Sequence, residues 1–429
     1  MHERVAIVGG GWAGIACAIA LADHGTPVTL YEAARQLGGR ARSVDWDGLA
    51  IDNGQHLMIG AYRETRWLLR RLGTSGMLEQ RPLTLIMPGF RLQLPQLPKP
   101  LHLGFGLLTA RGLSLREKLA AIHFMRHLQA IEFRLPVDLP VDALLREQRQ
   151  PDNLIERLWA PLCIAALNTP TAHASAQVFC NVLHDSLAGT RSDSDLLINR
   201  ADLSKLVPTA ALRFLEQHRS HVRLASKVDS ISRLERGFLL NGPGTRAERV
   251  VLATHPTRLP ALLAGMPEMT RTLSQIGLYT WQPILTLWLR FERSLPFHFP
   301  MLGLGDRHAP WAFERNDIAS GMVSLVMSAQ GPHLHWPHDK LLAEYLNLLA
   351  RTFGDLPRLL AWKVIVEKRA TYTCEPDQFR PNNVTPISGL YLAGDFTAGS
   401  ASTNTYPATL EGAVRSGVEC ARLIIAEQK

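Results

Sequence analysis

An α/β fold is what this sequence predicts, and three observations carry the prediction. A glycine-rich strand, turn, helix and strand open the chain. A second glycine pair beside arginines follows shortly after, and a buried strand leads into a small-residue helix near the far end. Together they describe a Rossmann-like nucleotide-binding domain.

Taken in order, Val5 to Val8 is a short apolar run and reads as a buried strand. Gly9, Gly11 and Gly14 then fit GxGxxG, with Trp12 and Ala13 opening the helix and an apolar pattern running to a stop at His24-Gly25. A second strand, Pro27 to Tyr31, closes on Glu32, eighteen positions past Gly14. Glycine is needed because a Cβ would block the close approach of a pyrophosphate to the helix N-H groups and positive dipole end. Glu32 is placed to accept hydrogen bonds from a ribose diol. Gly38-Gly39-Arg40-Ala41-Arg42 adds a second close-approach loop with guanidinium groups suited to phosphate, for which a nicotinamide site has no evident use. Phe238 to Pro256 reads as a strand, a turn and a strand at Val250 to Ala253. Gly389 to Thr397 contains a buried strand running into Gly394-Asp395. The helix after Tyr406-Pro407 should pack Ala413, Val414, Gly417, Val418 and Ala421.

In this order the motifs resemble the FAD-containing amine oxidase and phytoene desaturase superfamily over nearly the whole chain. The resemblance implies non-covalent FAD. It puts Gly9, Gly11 and Gly14 at the pyrophosphate, Glu32 at the AMP ribose, and Gly39 and Arg40 on the phosphate and flavin side. Val228 would meet the adenine, Gly394 and Asp395 the ribityl and pyrophosphate region, and the helix beginning near Ala408 the flavin pyrimidine ring. Amine oxidases of this fold place a lysine near the flavin, whereas no lysine occurs between Lys227 and Lys340. The stretches Ile51 to Thr65, Arg157 to Pro170 and Ser192 to Ile198 resemble the squalene-associated desaturase-like flavoproteins, whose best-known activity is hydroxysqualene dehydroxylation. One departure is a longer segment between Asp395 and Glu411 than that family's form.

The motif positions make the FAD-binding domain discontinuous, at 1–75, 200–265 and 365–429. A mixed sheet-plus-helix substrate domain fills 76–199, mostly helical, and 266–364, strand-rich and then helical from Lys340 to Thr352. At 429 residues the chain can bury a large core, and 46% hydrophobic with 20% charged residues is ordinary for a globular protein. Five cysteines without a CxxC fit a reduced cytoplasm. With Val5 already opening a strand, no leader segment is expected.

The formal charge of +8 is concentrated between Arg81 and Ile131, with seven Lys or Arg residues against the single acid Glu117, interleaved with apolar segments. Such a segment can lie on the anionic inner face of the cytoplasmic membrane, which suits a lipid substrate. The alternative is an amphipathic helix, Leu115 to Phe133, with a solvated basic face. Nucleic acid is a poor partner, because no recognised module is present.

For the dehydroxylation that the resemblance implies, an allylic alcohol loses its hydroxyl and its carbon receives hydride from reduced flavin, with an external reductant as partner. Sheltering a cation calls for aromatic walls, and Trp159, Phe179, Trp281, Trp288 and Trp311 are available, with plain core packing as the alternative for each. The hydroxyl needs a proton donor. His56 is the first candidate, Asn168 and Asp195 the next. A carotenoid-type desaturase would run the same flavin in the opposite redox direction, and a nucleotide-binding lipid carrier would show no turnover. His333, His335 and His338 lack metal-site spacing and read as a loop, so no metal is expected. GxSxG, HExxH and P-loop patterns are absent.

Overall fold

The structure, a computed structural model, describes residues 2–99, 101–305, 310–398 and 405–428. Residues 399–404 of the segment expected to be longer lie outside the described residues.

Seven strands form the first sheet. His221–Arg223, Thr29–Tyr31, His2–Val8 and Thr245–Leu252 lie side by side in parallel. On the far side of Thr245–Leu252, its first half pairs with Phe238–Asn241 in an antiparallel hairpin that Ser230–Arg233 extends at the edge, and its second half pairs in parallel with Leu390–Leu392. Parallel strands are covered on both faces, which is why Val5, Ala6 and Ile7, and Val250, Val251 and Leu252, are all fully buried. The second strand is shorter than expected, Thr29–Tyr31. Pro27, just before it, has no N-H to give to a neighbour.

Helix Trp12–Asp23 is buried nearly all round and packs on the C-terminal helix Leu410–Ala426. Gly417 permits the contact: a Cβ there would lie 2.1 Å from the Ala13 carbonyl oxygen. The C-terminal helix starts at Leu410, capped by Thr409, rather than near Ala408, because the Thr409 hydroxyl accepts the Gly412 N-H. Val414, Gly417, Val418 and Ala421 are buried as expected, whereas Ala413 is only half-buried.

A second, antiparallel sheet runs Met301–Gly303, Trp311–Glu314, Met322–Ser328, Trp281–Phe291, Leu359–Tyr372. Strand period decides its two faces. Leu285, Leu287, Leu289, Val323 and Leu325 pack against helix His338–Phe353, while Ile284 and Val326 turn the other way. The strand Leu359–Tyr372 runs through position 365, where the sequence places a domain boundary. Segment 76–199 supplies helices Leu101–Thr109, Leu115–Ala130 and Ala176–Leu187, among others, and also strands. Its hairpin Thr84–Met87/Phe90–Gln93 meets the second sheet at Gly303, where a Cβ would be 2.7 Å from Met87. In the helix around Trp159, Pro161 has no N-H to give, and the preceding turn, Ile155–Trp159, is widened to π geometry.

A buried ion cluster ties the N-terminal hairpin to the second sheet. Arg315, 1% exposed, donates to Asp52 Oδ2 at 3.0 Å, to Gln55 Oε1 at 2.9 Å and to Asp317. Trp288 Nε1 donates to the Asp52 carbonyl at 3.1 Å.

Candidate active site

In an open parallel sheet, ligands bind beyond the C-terminal ends of the strands. Four such ends here deliver Gly9, Glu32, Ala253-Thr254-His255 and Gly394-Asp395 to the wall of one cavity of about 840 Å³. That volume is toward the upper end of the range for small-molecule sites, about 300–1,000 Å³.

The outer half is a bare-backbone cradle. Gly9 has φ +112°, and a Cβ on it would lie 2.4 Å from the Ala253 oxygen. Gly14 is not on the wall; a Cβ there would sit 1.9 Å from the Gly9 oxygen, so its absence lets the helix close on the turn. Gly38 N donates to the Gly10 carbonyl at 2.8 Å and Trp12 Nε1 to the Ala41 carbonyl at 3.0 Å, which draws the second glycine loop onto the first. Gly11, Trp12, Ala13, Gly39 and Val228 all line this part. Glu32 accepts the Gly10 and Ala34 N-H groups, each at 2.7 Å, one on each carboxylate oxygen. Each oxygen keeps a lone pair for a ligand hydroxyl.

Deeper in, Arg40 donates to both carboxylate oxygens of Asp395, at 2.8 and 2.7 Å, and to the Ala370 carbonyl at 2.6 Å. The two residues expected at neighbouring parts of a dinucleotide therefore form one ion pair on the wall. His56 lies in the same region, and burial, with the Arg40 charge adding to it, lowers its pKa to about 4. His255, packed at a tilt against Trp281 with ring centroids 4.4 Å apart, is likewise lowered to about 4, by burial first and Arg40 second. Both imidazoles are neutral at pH 7. His56 is thus where the sequence places it, but as a neutral ring it has no readily transferred proton.

Asn168 reaches the wall as a left-handed cap (φ 47°) on helix Ala160–Leu167. Its amide donates to Thr371 Oγ1 (3.0 Å) and the Pro283 carbonyl (3.4 Å) and accepts the Ala329 N-H (2.7 Å), so it is committed to joining strands. Asp195 requires correction as a site residue. Only its neighbours Ser194 and Leu196 line the cavity, while its carboxylate is buried against Gln80 (2.6 Å) and Arg191 (3.0 Å). These partners absorb the charge away from the cavity.

The innermost part is apolar, lined by Leu85, Leu162, Phe179, Met301, Phe313 and Val326. Of the expected aromatic walls, Phe179 and Trp311 face it. Trp159 is buried with Nε1 on Gln150 at 3.0 Å, Trp288 is held on Asp52, and Trp281 lies behind His255. Among the polar residues of the cavity wall that are missing from the sequence reading are His255, Asp185 and Tyr406. The position of His255 just past a parallel strand end was an available signal, as was the place of Tyr406 before Pro407. Asp185, inside a helix, offered none. The segment around His333 folds as a single turn, Pro332–His335, before helix His338–Phe353.

A parallel sheet ending on a glycine cradle with an acidic side chain beside it, open to an apolar chamber under an antiparallel sheet, has the layout of a nucleotide-binding oxidoreductase. The chain belongs to the flavin containing amine oxidoreductase family, whose pattern matches residues 12–425. It is accordingly a flavin-dependent oxidoreductase, and the cradle, Glu32 and Arg40 fit such a group. The chain is 28% identical to the hydroxysqualene dehydroxylase of Sinorhizobium fredii, covering 100% of this chain and 99% of that one. It is 28% identical to that of Rhodopseudomonas palustris, over 99% of each. The 15-cis-phytoene desaturase of Glycine max is 25% identical, over 99% of this chain and 80% of that one. Cyclohexylamine oxidase from Brevibacterium oxydans superposes with a TM-score of 0.71 at 18% identity, with 99% of each chain covered, a likeness of fold.

Proposed function

We propose that the protein binds FAD non-covalently and reductively dehydroxylates hydroxysqualene to squalene. The observation that carries the reading is the single cavity running from a nucleotide cradle into an apolar chamber. Gly9, Gly11 and Gly39 would let the diphosphate approach the backbone, Glu32 would hold the AMP ribose, and Val228 would border the adenine. Arg40 and Asp395 would meet the middle of the cofactor, with the start of helix Leu410–Ala426 toward the ring. When bound and reduced, the flavin supplies hydride, and an external donor recharges it. The chain's own task is to hold the isoprenoid among Leu85, Phe179, Met301 and Phe313, exclude water and protonate the departing oxygen. Lys227, on the adenine side, is the only lysine on the cavity wall among the described residues, which argues against amine oxidation. The proposed division into cofactor and substrate domains follows the sequence boundaries, with the last one moved from 365 to the end of strand Leu359–Tyr372.

Purified protein with hydroxysqualene and a reductant is expected to form squalene, and phytoene with an electron acceptor is expected to stay unchanged. Phytoene desaturation without squalene formation would replace this reading by the desaturase one, which the Glycine max relative favours.

Association with the cytoplasmic membrane surface belongs to the same reading. Leu101, Phe105 and Leu108, and Leu115 and Leu119 on the following helix, are exposed, with Lys99, Arg111, Arg116 and Lys118 interspersed. Arg111, between the two helices, pairs through its backbone with Arg91 of the hairpin whose Met87 lines the cavity. Among the described residues no helix is long and apolar enough to cross a membrane. The protein is expected to float with anionic liposomes at low salt, and Phe105→Asp with Leu115→Asp to release it. Wild-type protein that stays at the bottom of the gradient removes the membrane reading.

A further inference from the structure

We propose that Tyr406 donates the proton to the departing hydroxyl, and that Asp185 and His184 carry its replacement from solvent. The proposal rests on the dehydroxylation reading above. Consecutive residues of a helix point about 100° apart, and helix Ala176–Leu187 uses this to set Asp185 on the cavity wall and His184 outward, its side chain 55% exposed. Tyr406, also on the wall, donates its hydroxyl hydrogen to Asp185 Oδ2, and His184 Nδ1 lies 2.8 Å from Asp185 Oδ1. Solvent, imidazole, carboxylate, phenol and cavity therefore form one continuous line. His56 has no hydrogen-bond partner among the described residues through which a proton could be replaced.

Burial raises the Tyr406 pKa, which keeps the phenol protonated at neutral pH, and the Arg415 charge pulls the other way, toward release. The Arg415 guanidinium carbon lies 3.8 Å from the Tyr406 ring centroid, and Arg415 reaches within 3.9 Å of Asp185, so one cation lies over the phenol ring and beside the carboxylate of the relay. Arg415 is steadied by Glu411 at 2.7 Å; Glu411 also accepts the Glu64 and Thr65 N-H groups at the head of helix Arg63–Arg71 and lies beside Tyr62. The Tyr406 carbonyl accepts from Arg380 and from Tyr372 (3.4 Å), which holds the main chain at Tyr406 in place.

The step balances as follows. The C-O bond breaks with its electron pair on oxygen, which takes the Tyr406 proton and leaves as water. A bound, reduced flavin would supply hydride, with its two electrons, to that carbon and be oxidised. As the Tyr406 oxygen loses its proton it takes one from Asp185, which receives it in the same shift from protonated His184, and hydronium from solvent reprotonates His184.

The test uses flavin-loaded protein. Tyr406→Phe is expected to keep its yellow colour and lower kcat by about 100-fold or more with little change in KM. His184→Gly, at an exposed site, should lose several-fold in kcat and regain it with added imidazole, which a merely structural histidine would not do. Lipid binding, followed by tryptophan fluorescence, should favour farnesol over farnesene in the wild type, and Tyr406→Phe should abolish the preference. Full turnover by Tyr406→Phe, or no imidazole response in His184→Gly, overturns the proposal. If the wild type fails to convert hydroxysqualene, the dehydroxylation reading falls by itself. A farnesol preference removed by Tyr406→Phe would then uphold the hydroxyl contact, and equal binding of both lipids would overturn it.

Discussion

Arg315→Met is expected to destabilise the protein by about 3–5 kcal/mol, the range for removing one partner of a buried ion pair. The reason is what it leaves behind. Asp52 is fully buried and Arg315 is its cationic partner at 3.0 Å, while Ser43, Asn199 and the Leu203 N-H supply only neutral bonds. Burial already raises the Asp52 pKa against the pull of Arg315, and without that pull it rises further. A carboxyl with a folded pKa above its unfolded one binds protons more tightly in the folded state. The deficit of Arg315→Met should therefore be largest at neutral pH and shrink as Asp52 is protonated in acid. Urea unfolding at pH 7 and pH 5, with the double variant Asp52→Leu/Arg315→Met as the comparison, measures this. The double variant should recover much of the loss, and a single-variant loss below about 1 kcal/mol would show that the pair does not pin the N-terminal hairpin to the second sheet.

Glu32→Ala is expected to yield folded but colourless protein, with flavin affinity reduced about 100-fold or more. That corresponds to about 2.7 kcal/mol, within reach of one or two hydrogen bonds to a carboxylate at about 1.5–3 kcal/mol each. The change removes any bond to the ribose and also the acceptor for the Gly10 and Ala34 N-H groups, which hold the glycine turn in shape. Glu32→Gln should fall between, because its NH₂ end opposes one of those donors. Equilibrium dialysis with FAD and the far-ultraviolet dichroism of the same samples separate lost binding from lost fold. A yellow Glu32→Ala protein with unchanged retention would remove Glu32 from the cofactor site.

The first strand, the glycine helix and the C-terminal helix were legible because each is specified by local chemistry. Gly9 has a backbone conformation that other residues rarely adopt, and Gly14 and Gly417 each stand where a neighbouring carbonyl leaves no room for a Cβ. His56 lies on the cavity wall, and its protonation was not legible in the sequence because it depends on burial and on Arg40 rather than on neighbours in sequence. Asp195 resembles a site residue in its motif, but Gln80 and Arg191 claim its carboxylate.

The sequence by itself determined the nucleotide-binding architecture, the acidic anchor and the apolar, basic character of segment 81–131, because backbone geometry and periodicity act over a few residues. Only the tertiary structure decided which polar groups face the chamber and which are spent on holding the fold. Asp185 meets Tyr406 across 221 positions, Arg315 meets Asp52 across 263 and Arg40 meets Asp395 across 355. Contacts of that span are set by how the two sheets and their helices pack.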